Sequence, residues 1–300
     1  MTGGVPLLRR NAGVVGAGDD AAMTAPRGIP TRRARRLAAA AAATLGSAVA
    51  ARDLGLQWVE RTILQALERA AREGRFGLHY QPAYDLATRL PVGAEALMRL
   101  PGVGGVRLDP EDVIPIAERS GWIQPLGRRL LERSLREWSG RGGTLSINVS
   151  RSELHRPGYA LELLCSRPPS MSLELEITET SAAPLEGIAR ANLEQLRRHG
   201  VTIALDDVGE GHNHLRLAAE FPCDRLKISR RLVSRIGRCR TGEALVRTIS
   251  GLAAARGLPV TAEGIETEDQ ACWLRAHGCR TGQGFFFARP APLAQLRLAA

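Results

Sequence analysis

The sequence predicts an α/β fold, a modified TIM-like (β/α)8 barrel, and three observations lead to this prediction. From Leu56 onward, short apolar runs alternate with amphipathic stretches. The apolar runs number eight, and polar side chains stand at their ends. Alternating strands and helices predict a parallel sheet. Eight units suit closure into a barrel, and 300 residues are enough to build one. A doubly wound sheet uses the same alternation, so the alternation alone leaves both folds open.

The segments themselves are recognised by their periodicity and by the turn residues that flank them. The strand candidates are FGLHYQPAYDL, VGAEALMRL, TLSINVS, LELEITET, VTIALDD, RLKIS, LPVTAEGI and GQGFFFA. The helix candidates are LQWVERTILQALERAARE, PEDVIPIAERSG, LGRRLLERSLREWS, LEGIARANLEQLRRHG, LVSRIGRCRTGEALVRTISGLAAARG and TEDQACWLRAHG. Their order along the chain is that of repeated β/α units.

Residues 1–55 differ in composition, and we predict a disordered, basic tail and linker rich in Ala, Gly and Pro. Within this segment, RRARRLAAAAAATLGSAVAA places clustered arginines before an alanine run. A linker helix is the preferred interpretation, with an export signal and a basic surface anchor as alternatives. The run is too short to cross a bilayer, so no transmembrane segment is expected. The barrel domain is expected over residues 56–300.

Charge and cysteine content exclude several classes of protein. The net charge is +10, but eight arginines against three aspartates place +5 of it in residues 1–57. Without an arginine stripe or interleaved aromatic residues, the folded part is not expected to bind nucleic acid. The five cysteines are odd in number and show no CxxC spacing. This pattern predicts reduced thiols in a cytoplasmic protein and argues against a zinc site or a disulfide scaffold.

Polar residues at the ends of the strand candidates favour the barrel over the open sheet. In a parallel barrel the carboxyl ends of all strands open on one face, so these side chains would meet in one bowl. They are Gln81, Glu95, Asn148, Glu176, Asp206, Asp207, Lys227, Glu263 and Gln283. Convergence from different strands is the geometry that a catalytic site needs.

The carboxylates in this set predict a site for divalent metal ions. Clustered like charges raise each other's pKa unless a cation neutralises them. Oxygen ligands without His or Cys favour Mg²⁺ or Mn²⁺ over Zn²⁺. The Asp206–Asp207 pair could serve two ions, which suits in-line phosphoryl displacement. A helix cap or a surface ion pair would explain any one of these acids, but less readily the whole set.

Motifs along the chain resemble those of the EAL domain family, the phosphodiesterases that open cyclic di-GMP to linear pGpG. They are LHYQP, GAEALMRL, SINVS, LELEITET, IALDDVGEG, LKIS, TAEGIE and GCRTGQGFFFARP. They stand in the family's order and at its spacings, from about Leu56 to the end of the chain. The resemblance implies a metal-dependent cyclic di-GMP phosphodiesterase of bacterial second-messenger signalling, with the family's modified barrel. It also implies a homodimer.

The resemblance further implies a role for each matching residue. The implied metal ligands are Glu95, Asn148, Glu176, Asp206, Asp207 and Glu263. The implied catalytic residues are Lys227 and Glu263. The implied substrate contacts are Gln81, Arg99 and Gln283. The implied anchors of the loop after the Asp-Asp pair are Glu179 and Glu266.

Lys227 is the only lysine among the 41 Lys and Arg residues. The family lysine that it resembles contacts the attacking water and the phosphate. A compact ammonium can approach both as a point charge, whereas a planar guanidinium cannot take the same place. Chance placement of a single lysine is the alternative explanation.

Two departures from the family pattern put catalysis in doubt. The family's K-I-D is K-I-S here, and Ser229 in place of the aspartate predicts a second metal site weakened by about 10–100-fold. The family's DDFGTG loop is DDVGEG, with Val208 and Glu210. His212 and His214 follow this loop, and solvated polar side chains are the preferred interpretation over metal ligands. A degenerate EAL domain, acting as a cyclic di-GMP receptor or as a protein-interaction module, is therefore the alternative function.

Overall fold

Eight strands form one closed barrel in the order β1 to β8, as the sequence predicts. The computed structural model describes residues 50–100, 108, 110–178, 185–210 and 214–296. The strands are β1 Gly77–Asp85, β2 Pro91–Arg99, β3 Thr144–Asn148, β4 Ser172–Thr178, β5 Thr202–Val208, β6 Arg225–Ile228, β7 Val260–Ala262 and β8 Thr281–Gly282.

Helices in the connections cover the outside of the barrel. The described ones are α1 Ala50–Glu73, α2 Pro110–Ser120, α3 Ile123–Trp138, α4 Arg151–Leu154, α5 Tyr159–Ser166, α6 Gly187–Arg198, α7 His214–Glu220, α8 Arg230–Val233, α9 Arg240–Ala255 and α10 Glu268–Ala276. The sequence patterns did not predict α4, α5 or α7, because helices of four to eight residues show at most about two turns of apolar periodicity. None of the helices in these described ranges combines the length and the apolarity that a bilayer span requires.

The first strand breaks the parallel arrangement that the sequence predicted. β1 is antiparallel to both of its neighbours, β2 and β8. The cause is the five-residue connection from β1 to β2, which is a tight turn and too short for a parallel crossover. Asp85 Oδ1 accepts hydrogen bonds from the backbone N–H groups of Ala87 and Thr88, at 2.9 Å each. Arg89 completes the turn in the left-handed region, with φ 60°.

The last strand is shorter than its predicted segment. GQGFFFA was predicted as a strand, but β8 ends at Gly282. The next residues pass close to the segment that follows β7, where a Cβ atom at position 284 would lie 2.1 Å from the carbonyl oxygen of Ile265. Gly284 makes this approach possible, and the chain leaves the sheet there.

The strands carry apolar side chains outward and polar side chains inward. Leu173, Leu175 and Ile177 of β4 are fully buried beneath the helices, whereas Glu174 and Glu176 alternate with them and face the interior. Branched aliphatic side chains fill the interior of an ordinary TIM barrel. Here the apolar core lies between the barrel and its helices, and the barrel interior is polar.

The first helix extends beyond the predicted domain boundary. α1 begins at Ala50, six residues before Leu56, so it includes residues 50–55, which the sequence assigned to the tail and linker. The end of the helix is held by Arg129, which donates to the carbonyl oxygens of Ala71 and Arg72 at 3.1 and 3.3 Å. The rest of the predicted tail lies outside the described residues.

Candidate active site

The carboxyl ends of the strands bring a set of polar side chains together inside the barrel. Asn148 ends β3 and pairs in register with Glu176 of β4, while Gln81 of β1 lies directly opposite Glu95 of β2. The direct contacts described below join Glu95, Asn148, Glu176, Asp206, Lys227, Glu263 and Gln283. These contacts connect residues of β2 to β6 and the segments after β7 and β8.

Glu95 is held by amide side chains on both of its carboxylate oxygens. Asn148 Nδ2 donates to Glu95 Oε1 at 2.7 Å, and Gln283 Nε2 donates to Glu95 Oε2 at 2.7 Å. Because the Asn148 amide nitrogen is used in this way, its carbonyl oxygen is left to bind a cation. The arrangement fixes Glu95, which is only 8% exposed, without neutralising its charge.

Lys227 lies among three carboxylates. Its Nζ atom is 2.7 Å from Glu176 Oε2, 3.2 Å from Asp206 Oδ1 and 2.5 Å from Glu263 Oε1. Burial alone would lower the pKa of Lys227, but Asp206, Glu176 and Glu263 together raise it well above its ordinary value. Lys227 is therefore a fixed positive charge at any physiological pH.

The neighbouring acids respond in the opposite way to the same burial. Burial and the negative charge of Glu95 raise the pKa of Glu176 well above its usual range. Burial and Asp206 do the same to the pKa of Glu263. The four acids, counting Glu95, outnumber the single ammonium, so the cluster needs further neutralisation, either by protons on the acids or by bound cations.

The surplus of acids and the donor set fit divalent cations. Although Lys227 lies within ion-pair distance, Glu176 Oε2 and Asp206 Oδ1 are buried without an aligned hydrogen-bond donor. Asp206, Asp207 and Glu263 each offer a carboxylate oxygen, and these three atoms lie within 4.8 Å of one another. Hard oxygen ligands in this number suit Mg²⁺ or Mn²⁺.

Asp207 reaches this cluster through an irregularity in β5. One extra residue lies between Leu205 and Val208 relative to β6, which is a β-bulge. Asp207 sits in the bulge with φ 55°, a left-handed conformation that is uncommon outside glycine. Burial, Asp206 and Glu210 raise the pKa of Asp207 to about 7. The negative charge of Glu210 thus contributes to this shift, as the sequence suggested.

Ser229, the serine at the family's aspartate position, is used as a helix cap. It is fully buried, and its Oγ accepts a hydrogen bond from the Leu232 N–H at 3.3 Å at the start of α8. A serine hydroxyl offers no negative charge, and this one is engaged by the helix. The residue thus stabilises the start of α8 at the position where the family has an aspartate.

The remaining predicted residues lie at the rim or outside the described ranges. Gln81 Nε2 donates to the Ala288 carbonyl at 3.3 Å, and an Arg99 Nη1 donates to the Met98 carbonyl at 3.0 Å. Glu266 forms an exposed ion pair with Arg230 at 3.6 Å, and its anchoring of the loop stays a prediction. Glu179 and His212 lie outside the described residues.

Two interior residues escaped the sequence interpretation. Glu174 and Arg225 face the same space as Glu176 and Lys227, because residues two apart on a strand share one face. The Arg225 Nε and Glu174 Oε2 atoms are 2.6 Å apart. The two-residue spacing of Glu174 from Glu176 and of Arg225 from Lys227 is present in LELEIT and RLKI. The prediction considered only the polar residues at the carboxyl ends of the strands and so did not include them.

Comparisons with known proteins agree with this geometry. The sequence model of the EAL domain matches residues 64–290. The chain is 35% identical over 245 residues to an uncharacterized signaling protein of Caulobacter vibrioides, covering 79% of this chain and 30% of that protein. It is 34% identical over 247 residues to a probable cyclic di-GMP phosphodiesterase, PdeI, of Escherichia coli, covering 78% and 31%. The chain thus spans about a third of the length of these relatives.

A solved structure shows the same architecture. The PaMucR phosphodiesterase in its c-di-GMP complex superposes with a TM-score of 0.71 at 30% identity, over 78% of this chain and 99% of that one. The matched family model covers well over half of the 300 residues, and its span includes β1 to β8 together with the carboxylate cluster. The chain therefore belongs to the EAL domain family.

Proposed function

We propose that this chain is a metal-dependent phosphodiesterase that hydrolyses cyclic di-GMP to linear pGpG. The observation that carries the proposal is the cluster of Glu95, Asn148, Glu176, Asp206 and Glu263 around Lys227, joined by direct contacts. The similarity to a probable cyclic di-GMP phosphodiesterase and to a phosphodiesterase structure in complex with c-di-GMP supports the choice of substrate. The bacterial cytoplasm and a homodimer are part of the same proposal.

The clustered residues would bind two divalent cations. Glu95, Asn148, Glu176 and Asp206 would hold one cation, and Asp206, Asp207 and Glu263 a second. Bound Mg²⁺ or Mn²⁺ would supply Lewis-acid activation of water and neutralisation of the phosphodiester charge.

The chain's own groups would then complete the hydrolysis. Glu263 would accept a proton from the attacking water, and Lys227 would orient that water and the phosphate. The water oxygen would form the new P–O bond while one ester P–O bond breaks, so the product keeps a terminal phosphate and a free hydroxyl. Gln81 and Arg99 would contact the dinucleotide at the rim, and Gln283 would hold Glu95 in place.

A receptor without turnover is the second candidate, and Ser229 is the observation that favours it. The hydroxyl of Ser229 caps α8 where the family places a carboxylate, and Glu210 raises the pKa of Asp207. Both features would weaken the second cation site. Weak cation binding there would leave nucleotide recognition at the rim intact while slowing hydrolysis.

One experiment separates the two candidates. The purified chain is incubated with cyclic di-GMP and Mn²⁺, and pGpG is measured by chromatography. We expect product, and we expect the Glu95→Gln variant to form it more than about 100-fold more slowly. Nucleotide binding by calorimetry without any product would establish the receptor instead. Absence of both binding and product would contradict both candidates and favour a protein-interaction module.

A further inference from the structure

A charged pair lies inside the barrel on the amino-terminal side of the candidate active site. Arg225 Nε donates to Glu174 Oε2 at 2.6 Å, and Ser146 Oγ donates to Glu174 Oε1 at 3.0 Å. An Arg225 Nη1 also donates to Thr261 Oγ1 at 3.2 Å. This network joins β3, β4, β6 and β7 across the interior, and the proposed chemistry does not use it.

The pair and the catalytic groups line one cavity. Its volume is ≈ 280 Å³, and its lining includes Glu174 and Arg225 together with Glu176, Lys227 and Gln283. Small residues form part of the lining, among them Ala83, Gly93 and Ala94. The interior of the barrel at this level therefore contains polar groups and space instead of packed aliphatic side chains.

Stability alone is a weak reason for an ion pair in this place. The Glu174 side chain is 6% exposed and the Arg225 side chain 24%. Removing two charges from water costs about as much as their attraction returns, and apolar residues of similar volume stabilise a core as well or better. The pair is therefore better explained by what its charges do to their neighbours.

Those neighbours are the groups of the carboxylate cluster. Arg225 precedes Lys227 by two residues on the same face of β6, so their Cα atoms are about 7 Å apart. Without Glu174, the guanidinium would repel Lys227 and oppose cation binding over a distance shorter than the screening length of ordinary buffers. Without Arg225, Glu174 would be a further carboxylate competing with Glu176 and Glu263 for the ammonium.

The fold allows the two side chains to meet over one intervening strand. Ala204 of β5 pairs in register with both Glu176 and Arg225, and its methyl group leaves the path across β5 open. Arg225 thus reaches Glu174 on β4 instead of extending toward the cluster.

We propose that Glu174 and Arg225 form a positioning pair, in which each neutralises the other. Their mutual neutralisation keeps Lys227 with Glu176, Asp206 and Glu263 and preserves the attraction of the cluster for divalent cations. The inference rests on the proposed function for its catalytic consequence. Its first readout, Mn²⁺ binding without nucleotide, does not depend on hydrolysis.

The test measures Mn²⁺ binding by calorimetry in the full chain and its variants. We expect Glu174→Gln to weaken Mn²⁺ binding by about 10–100-fold, because it leaves the Arg225 charge uncompensated. We expect Arg225→Gln to keep Mn²⁺ affinity but to lower kcat without changing KM, because Glu174 then draws Lys227 away from Glu176. The double variant E174Q/R225Q is expected to recover Mn²⁺ affinity and kcat to within about threefold of the wild type, since neither unpaired charge remains.

Matched controls separate this role from a loss of structure. Arg197→Gln breaks an ion pair of the same 2.6 Å length with Asp224 outside the barrel, and it should leave Mn²⁺ affinity and kcat unchanged. Arg225→Lys keeps the charge and should keep kcat near that of the wild type. If either single variant fails to fold, the double variant and R225K still decide the question.

Three results would overturn the proposal. The first is that Glu174→Gln binds Mn²⁺ as tightly as R197Q does. The second is that the double variant loses as much Mn²⁺ affinity and kcat as the two single variants together. The third is that R225K loses as much kcat as R225Q. If none of the variants, nor the wild type, forms pGpG, the proposed function fails, while the Mn²⁺ affinities still test the positioning pair.

Discussion

The carboxylate cluster has two parts that are built differently. In one part, Glu95, Asn148 and Glu176 stand on regular strands, and Glu95 is held at 2.7 Å by two amides. In the other part, Asp207 sits in a β-bulge with φ 55°, and Ser229 caps a helix. We refer to these as the strand part and the bulge part.

The difference shows where a barrel tolerates change. In the strand part, a side chain is placed by the pairing of its strand with two neighbours, so the position of each carboxylate follows from the whole barrel. In the bulge part, the placement depends on a few local hydrogen bonds and on one uncommon backbone conformation. The departures from the family pattern, Ser229 and Glu210, both fall in the bulge part.

The largest expected effect comes from the residue that connects the two parts. Lys227→Met removes the ammonium that lies between Glu176, Asp206 and Glu263, and we expect kcat for pGpG formation to fall by about 10²–10³-fold. We also expect the metal-free protein to lose about 3–5 kcal/mol of unfolding free energy, because the carboxylates are left without their counter-charge. Single-turnover chromatography and urea unfolding measure the two quantities.

Lys227→Arg is the matched variant, because it keeps the charge and changes only its shape. A planar guanidinium cannot make contacts of 2.5–3.2 Å to the three carboxylates at one point. We expect the stability to recover more than the activity. Turnover by K227R at the wild-type rate would contradict the role given to the ammonium.

The next effect concerns the bulge part alone. Ser229→Asp restores a carboxylate beside the cluster, and we expect Mn²⁺ affinity or kcat to rise by about 10-fold. Aspartate caps a helix as well as serine does, so the start of α8 should not be disturbed. Calorimetry and the pGpG assay measure the gain, and no gain in either would mean that the second cation site lies elsewhere.

Ser229→Ala provides the control for this substitution. It removes the cap on the Leu232 N–H without adding a charge, so we expect a loss of about 1 kcal/mol in unfolding free energy. Mn²⁺ affinity should stay the same. A drop in Mn²⁺ affinity would show that the serine hydroxyl itself serves the cation site.

The last prediction concerns the Asp207 carboxyl and is a pH dependence of stability. Asp207 has its pKa raised from 3.8 to about 7 by burial, Asp206 and Glu210. A carboxyl whose pKa is raised on folding favours the folded state at low pH, and this contribution is lost as the pH rises through about 7. We therefore expect the metal-free protein to be more stable at pH 5 than at pH 8, as measured by urea unfolding.

Asp207→Asn removes the titrating group and isolates its share of that slope. The variant should lose less stability between pH 5 and pH 8 than the wild type does, by an amount of order 1–4 kcal/mol. Equal slopes for both proteins would assign the pH dependence to Glu176 and Glu263 alone, whose pKa values are also raised.

The sequence was sufficient to predict the strand part. The apolar strand candidates end on polar residues, among them Glu95, Asn148 and Glu176, and the shared face of strand ends in a barrel favoured that fold over an open sheet. The family motifs then gave each residue a role to test. These positions are predictable because one alternation rule and one closure rule determine them.

The features that escaped prediction are of two kinds, local ones and one that depends on residues far apart in sequence. The antiparallel direction of β1 follows from a short turn in which Asp85 accepts two backbone hydrogen bonds, and the cap formed by Ser229 joins residues three apart. The pair of Glu174 with Arg225 joins residues 51 apart and needs tertiary placement. A periodic pattern contains no information on which inward side chains will touch.

The way in which β1 closes the barrel also bears on how the molecule comes to be folded. β1 pairs with β2, its neighbour in sequence, and with β8, about 200 residues further on, and Tyr80 forms a bridge with Ala291. The ring cannot be completed before nearly all of the chain is available, and contacts across such separations make folding slow. The contact of Glu95 with Gln283 requires β2 and the segment after β8 to be in place together, so the cation site is complete only in the closed barrel.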